Sequence, residues 1–230
     1  MLKIKNLTKE YGKTKVVDNL SLDVKEGVMF GFLGPNGAGK TTTMKMILGL
    51  TDYDKGSIKI DDSDSKSIKV KERIGYMPED PYFYDHLSAL EFMNFMASLF
   101  SKEQSALDNN TLLNEVGLDK VAKKKIGHFS KGMKQRLGLA QALVNDPEYL
   151  FLDEPLDGLD PIGRREFKQI LLKLKKKGKT IFFNSHILSD VEEICDQIGI
   201  INKGKLIYSG PVKKFRGNKS LEDAFVEKLT

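Results

Sequence analysis

The 230-residue sequence predicts an α/β fold built around a phosphate-binding loop, with an N-terminal antiparallel β subdomain and an inserted α-helical subdomain. Three observations predict it. An uninterrupted Gly-Pro-Asn-Gly-Ala-Gly-Lys-Thr run fills positions 34–41. Short, wholly apolar runs alternate with helical patterns over 28–55 and 148–210, the rhythm of a parallel sheet covered on both faces. Residues 80–146 contain helices and no convincing strand.

Taken in order, residues 1–27 and about 56–62 alternate polar and apolar (Leu2-Lys3-Ile4-Lys5, Ser21-Leu22-Asp23-Val24, Ser57-Ile58-Lys59-Ile60), as half-exposed antiparallel strands do. Val28 to Leu33 has the composition of a buried strand, and a helix is expected from Thr42 to Leu48 after the glycine-rich turn. That order aims successive backbone N–H groups and a helix N-terminus at one point, which suits a polyphosphate and predicts nucleoside triphosphate binding. Helices are expected over Ala89 to Phe100 and Lys131 to Val144. Tyr149 to Leu152, Thr180 to Phe183 and Ile198 to Ile201 read as buried strands. The chain from Pro211 to Thr230 reads as a basic loop and one short amphipathic helix, with Leu221, Phe225 and Leu229 at helical spacing, packing back on the body. The expected organisation is one domain: a nucleotide-binding core over 1–79 and 147–210, a helical subdomain over 80–146, and a tail over 211–230.

Within the loop, Gly34, Gly37 and Gly39 let the backbone approach phosphate oxygens without a Cβ in the way. Lys40 is placed to reach the β- and γ-phosphates and the Thr41 hydroxyl to hold Mg2+, while Pro35, Asn36, Ala38 and Thr42 complete the candidate segment. The second site is Asp153-Glu154, at the carboxyl end of an apolar strand, where ligands sit in open α/β sheets. Asp153 is a candidate holder of Mg2+, and Glu154 a candidate general base for the attacking water. The plainer alternative is a strand ending in a solvated acidic turn.

Composition sets outer limits. The chain is long enough to bury a full core. A single cysteine, Cys195, excludes an internal disulfide and fits a reducing compartment; its place among Leu188, Val191, Ile194 and Ile198 reads as a buried packing thiol. No apolar run approaches the roughly 18 residues that span a bilayer, and no signal-peptide core is seen, so a soluble chain is expected. The net charge of +5 and the lysine clusters at 123–125 and 173–177 read as solvated helix faces and give no reason to expect nucleic acid.

These residues fall into an ordered series that covers essentially the whole chain: Tyr11; Gly34 to Thr41; Ile74-Gly75-Tyr76-Met77-Pro78-Glu79; Phe129-Ser130-Lys131-Gly132-Met133; Asp153-Glu154; Gly158-Leu159-Asp160; Asn184-Ser185-His186. Most are weak singly, but in this order and spacing they resemble the nucleotide-binding subunit of an ATP-binding cassette (ABC) transporter, in the branch paired with separate small export permeases. The resemblance implies a P-loop NTPase (RecA-like) core, ATP and Mg2+ as ligands, and ATP hydrolysis coupled to export.

It also implies roles. Tyr11, which beside Gly12 reads equally as a turn residue, would stack on adenine. His186, at a strand end where a histidine is more often structural, would touch the γ-phosphate as a switch and join Lys40 and Glu154 in catalysis. Ser130, Lys131 and Gly132 open a helix that would meet the γ-phosphate held by a second cassette, either another copy or a homologue. Asp160 would help join the two sites. Two departures stand out: Lys131 and Met133 replace the family's glycine and glutamine, and Glu79 replaces a glutamine that contacts Mg2+ or water and signals to the membrane subunit. Glutamate still ligates a hard cation. The segments Asp80 to Leu87 and Phe92 to Met96 read either as helical core or as the lining of a groove for a short permease helix. The separate permease would place the chain on the cytoplasmic face of the membrane. A soluble cassette ATPase serving cofactor assembly, or working on nucleic acid or ribosomes, is the alternative; a non-hydrolysing regulator is disfavoured by Glu154 and His186.

Overall fold

A computed structural model of the protein describes residues 1–100 and 108–229. Residues 101–107 of the expected helical subdomain, Thr230 of the expected tail, and the Leu229 side chain lie outside the described residues. In chain order the elements are β1 (Leu2–Tyr11), β2 (Thr14–Val24), β3 (Met29–Leu33), α1 (Lys40–Ile47), β4 (Lys55–Ile60), β5 (Ser63–Asp64), α2 (Ile68–Lys71), β6 (Ile74–Met77), α3 (Ala89–Ser98), α4 (Asn109–Glu115), α5 (Lys131–Ala142), β7 (Tyr149–Asp153), α6 (Pro161–Lys176), β8 (Thr180–Ser185), α7 (Leu188–Ile194), β9 (Gln197–Asn202), β10 (Lys205–Pro211), α8 (Val212–Arg216) and α9 (Leu221–Leu229). They fall into two compact units, one of Met1–Lys71 with Thr180–Thr230, the other of Glu72–Lys179.

In the first unit the alternating N-terminal segments form an antiparallel sheet in the order β2-β1-β4-β5, with Ile4 opposite both Leu22 and Ile58. The apolar runs form a second set of strands. Here β3 lies between β8 and β9 and parallel to both, and β10 closes the far edge antiparallel to β9. Every residue of β3 and β8 is buried, as expected of strands covered on both faces. Phe30 and Phe182 stack with ring centroids 5.3 Å apart at the centre of this packing. Gly31 shows how closely α7 sits: a Cβ there would lie 2.7 Å from Val191 Cγ1 and 3.1 Å from Cys195 Sγ. The tail packs back through buried Val212 and Leu221, and the Leu221 N–H donates to Glu192 at 3.0 Å.

The second unit pairs β6 and β7 in parallel and sets helices against them. A Cβ on Gly75 would fall 2.0 Å from the Ala142 carbonyl, so α5 rests almost directly on β6. Ser88 and Glu91 form a reciprocal capping box at the start of α3. Phe83 meets Phe92 edge-on at 5.2 Å beneath that helix.

Several sequence expectations are corrected. The helix after the loop starts at Lys40, because Gly39 takes a left-handed φ of 107° as its N-cap. The helices expected to Phe100 and Val144 end at Ser98 and Ala142, each followed by a residue still near helical angles. Pro211 closes an edge strand, and the tail holds two helices. Cys195 is half-buried and extended at the end of α7, not inside it. Lys123 to Lys125 lie between two short 3-10 segments, Lys125 in an isolated antiparallel bridge with Ser88, whereas Lys173, Lys175 and Lys176 sit in the last turn of α6, where cations oppose the negative end of the helix dipole.

Candidate functional site

In the first unit the loop leaves β3 at Leu33, which pairs with Ser185, the last residue of β8. The Gly34 turn and His186 therefore emerge side by side at the carboxyl edge of two adjacent parallel strands. Gly34 is pressed against β9, and a Cβ there would lie 2.2 Å from the Ile201 carbonyl oxygen. Gly37 and Gly39 have φ of 77° and 107°, and a Cβ on Gly39 would meet the Val16 carbonyl at 2.6 Å. Pro35, Asn36 and Gly37 form an exposed crest, while Ala38, Gly39 and Lys40 are buried. Lys40 is only 7% exposed; its ammonium donates to the Gly34 carbonyl at 2.7 Å and to the Pro35 carbonyl at 3.5 Å. Thr41 and Thr42 follow, half-buried, in the first turn of α1.

His186 is exposed and lies between clamped neighbours, since the Ile187 N–H donates to the Ser185 hydroxyl at 3.0 Å. Tyr11 ends β1 next to the Gly12 turn and is 52% exposed, with the Lys9 ammonium 5.1 Å from its ring centroid. It borders the turn, yet its ring is open to a ligand.

The second unit repeats the edge arrangement. Met77 pairs with Leu152, so Pro78-Glu79 and Asp153-Glu154 leave neighbouring parallel strands together. Asp153 is 2% exposed and Glu154 9% exposed, which is not a solvated acidic turn. Glu154 takes φ 47°, a left-handed conformation that costs a non-glycine residue about 1–2 kcal/mol. Such strain concentrates at functional sites. Burial, and then the negative charges of Asp153 and Glu79, push the Tyr76 phenol up to about 12, so both carboxylates act on one ring. Glu79 has an exposed side chain, and its backbone carbonyl accepts from Gln135 Nε2 at 3.3 Å.

Ser130 caps α5 by accepting from the Met133 N–H at 3.3 Å, as its position before the helix predicts. Lys131, Gly132, Gly158, Leu159 and Asp160 line one side of a cavity of about 700 Å3. The Asp160 carboxylate accepts from Gly163 N–H at 2.6 Å and caps α6, with Pro161 next; Asp before Pro is a helix-start signal that the sequence carried. The structure thus gathers Lys40 with His186 in one unit, and Glu79, Asp153 and Glu154 in the other. The left-handed Glu154 and the contacts of Tyr76 and Gln135 were not read from the sequence; no residue type at these positions announces them. Of the aromatic segments, Phe83, Phe92 and Met93 are core, while Tyr82, Tyr84 and Phe95 are exposed, Tyr84 and Phe95 meeting edge-on at 6.0 Å.

A glycine cradle between a parallel strand and a helix, with a buried lysine turned onto it, places the protein in the phosphate-loop class of α/β proteins. Comparison with known proteins narrows this: the family model described as ABC transporter matches residues 17–157, more than half of the sequence, and the chain belongs to that family. It is 49% identical over 210 residues to an uncharacterized ABC transporter ATP-binding protein of Synechocystis, covering 90% of this chain and 59% of that protein. The chain thus spans about three fifths of that relative. It is 42% identical to the lantibiotic transport ATP-binding protein SrtF of Streptococcus pyogenes, covering 98% of this chain and 96% of the other. With the bacitracin transport ATP-binding protein BcrA of Bacillus licheniformis the identity is 45%, over 96% of this chain and 74% of that one. Among solved structures, an ATP-binding subunit of an ABC transporter superposes with a TM-score of 0.89 at 30% identity over 100% of both chains. A dimeric cassette in a post-hydrolysis state, bound to ADP and Pi, gives 0.81 at 25% identity over 92% of this chain and 99% of that one.

Proposed function

We propose that the chain is the ATP-binding and ATP-hydrolysing subunit of an exporter, acting as a pair of cassettes on the cytoplasmic face of a membrane beneath a separate multi-span permease. The observation that carries this is the loop itself, a cradle with left-handed Gly37 and Gly39 and with the Lys40 ammonium folded onto the Gly34 carbonyl. A phosphate oxygen offers that ammonium a full negative charge in place of a carbonyl dipole, so Lys40 turns from Gly34 to the triphosphate. Backbone N–H groups of the loop and the start of α1 take the remaining oxygens. The exposed Tyr11 ring stacks on adenine.

The donor set suits Mg2+ that arrives with phosphates. Among the described residues no cluster of three or more His, Cys, Asp or Glu could hold a metal alone, and Mg2+ characteristically takes one or two carboxylates beside substrate phosphates. Asp153, Glu79 and the Thr41 hydroxyl would hold it, and it would neutralise charge building on the phosphates. Glu154, buried and fixed by its backbone, accepts a proton from the water whose oxygen attacks the γ-phosphorus as ADP leaves. His186 donates to the γ-phosphate from the carboxyl edge of β8, beside the loop that leaves β3.

The two-cassette arrangement is supported by the dimeric solved neighbour, and the transport role by the relatives named for lantibiotic and bacitracin transport; the export direction rests on the resemblance of the Lys131 and Met133 spelling to the export branch. No helix among the described residues is long and apolar enough to cross a membrane; the separate permease rests on the likeness to transport ATP-binding proteins. The exposed Tyr82, Tyr84 and Phe95 offer an aromatic face for a short permease helix. Lys40→Ala is the direct test: ATP binding, read by calorimetry, should be lost, and an unchanged affinity would overturn the reading. Co-purification from membranes with a multi-span protein tests the partner.

A further inference from the structure

Lys131 is the first residue of α5, where the positive end of the helix dipole repels a cation. Its ammonium is 3.0 Å from the Asp157 carboxylate, in the loop that follows the buried carboxylate pair. The side chain reaches Asp157 by lying across Gly158: a Cβ there would fall 2.0 Å from Lys131 Nζ, 2.5 Å from Cε and 2.7 Å from Cδ. The other cations of the first two turns of α5 point elsewhere, Lys134 to Asp85 at 3.4 Å and Arg136 to Glu166 and the Val116 carbonyl. Lys131 and Asp157 keep 56% and 41% of their side-chain surface exposed, and Lys131 lines the 700 Å3 cavity together with Ser130, Gly132 and Asp160.

We propose that Asp157 is a positioning residue for the contact between α5 and a triphosphate: it holds the Lys131 ammonium in the single chain and yields it to the γ-phosphate when two chains close over ATP. This rests on the two-cassette reading above. The helix start needs a counter-anion for Lys131 at all times, and two anions compete for it. An exposed ammonium–carboxylate pair is weak and easily exchanged, whereas a phosphate carries more charge and also meets the helix N–H groups. The carboxylate and the phosphate repel each other, so closure breaks the Lys131–Asp157 pair, and the pair in turn opposes closure at low ATP.

The test uses the full chain carrying Glu154→Gln, with the ATP concentration for half-maximal dimer read by light scattering at low and high salt. Asp157→Asn should lower that concentration about three- to fivefold at low salt and less at high salt. Asp157→Glu should return it toward the parent. With Lys131→Gln present the concentration should rise, and the Asp157→Asn shift should shrink to what direct repulsion between carboxylate and phosphate leaves. An Asp157→Asn shift that is absent, reversed, or equal in the Lys131→Gln background overturns this inference while leaving the two-cassette reading standing. If the Glu154→Gln parent never dimerises with ATP, both fall together. Circular dichroism of each variant checks the fold.

Discussion

Three glycines of the loop separate two costs that are usually merged. Gly34 has no positive φ, but a Cβ on it would sit 2.2 Å from the Ile201 carbonyl oxygen, so Gly34→Ala tests close approach alone. Gly37 has φ 77° with nothing within 4 Å of its Cβ position, so Gly37→Ala tests backbone strain alone. Gly39 combines φ 107° with a Cβ position 2.6 Å from the Val16 carbonyl. Forcing alanine to a positive φ costs about 1–2 kcal/mol and a stiffer unfolded chain returns about 0.4–1, leaving about 0.5–1 for Gly37→Ala. Overpacking costs about 1–3 kcal/mol, and at Gly34 the obstacle is a ladder carbonyl that cannot rotate away, so about 2 kcal/mol net is expected. Gly39→Ala carries both terms, about 3 kcal/mol. Urea unfolding followed by far-UV circular dichroism reads these directly, since the chain has no tryptophan. At about 2–3 kcal/mol per molar urea, the Gly39→Ala midpoint should fall by ~1 M or more. If Gly37→Ala destabilises as much as Gly39→Ala, the account of the cradle is wrong.

Other outcomes follow from the same geometry. Glu154→Gln should keep ATP affinity and slow turnover by about 10²–10⁴-fold, with an ATP-bound dimer accumulating; unchanged phosphate release would remove Glu154 as the base. Ser88→Ala should cost about 1 kcal/mol by uncapping α3, visible in thermal unfolding. The Ser88 backbone N–H, its hydroxyl and Lys125 hold the Glu91 carboxyl down at about 2, below its unfolded value, so its contribution is present above the ordinary carboxylate range and disappears as pH falls toward 2. Glu91→Gln should flatten that acid limb. For Tyr76 the sign is opposite. The unfolded phenol ionises near pH 10 and the folded one only near 12, so stability falls as pH rises between them, and Tyr76→Phe should lessen that decline in urea titrations.

Much of the fold was readable because its signals are local. Residues 34–41 carry their own turn chemistry, and Tyr149 to Leu152 and Thr180 to Phe183 are apolar enough to be strands in any context. The strand β6 was not read, because four residues containing Gly75 are too few to show a period, and its glycine is set by the Ala142 carbonyl of a helix far along the chain. The edge strand β10 ends in a proline and is mostly half-exposed, which looks like a loop. Cys195 was misplaced because helical spacing continues one residue beyond the point where α7 ends. At the candidate site the residue types were legible, but the left-handed Glu154 and the Lys131–Asp157 pair come from tertiary placement and have no spelling.

Gly31 sits mid-strand, outside the phosphate loop, and α7 lies against it through Val191 and Cys195. That helix begins two residues after His186, so the missing side chain at 31 sets where the histidine's supporting segment comes to rest. A bulkier residue at 31 would leave the nucleotide cradle spelled correctly and still misalign the group beside it. Such a variant would look in an assay like an active-site lesion, although its origin is a packing fault under a helix.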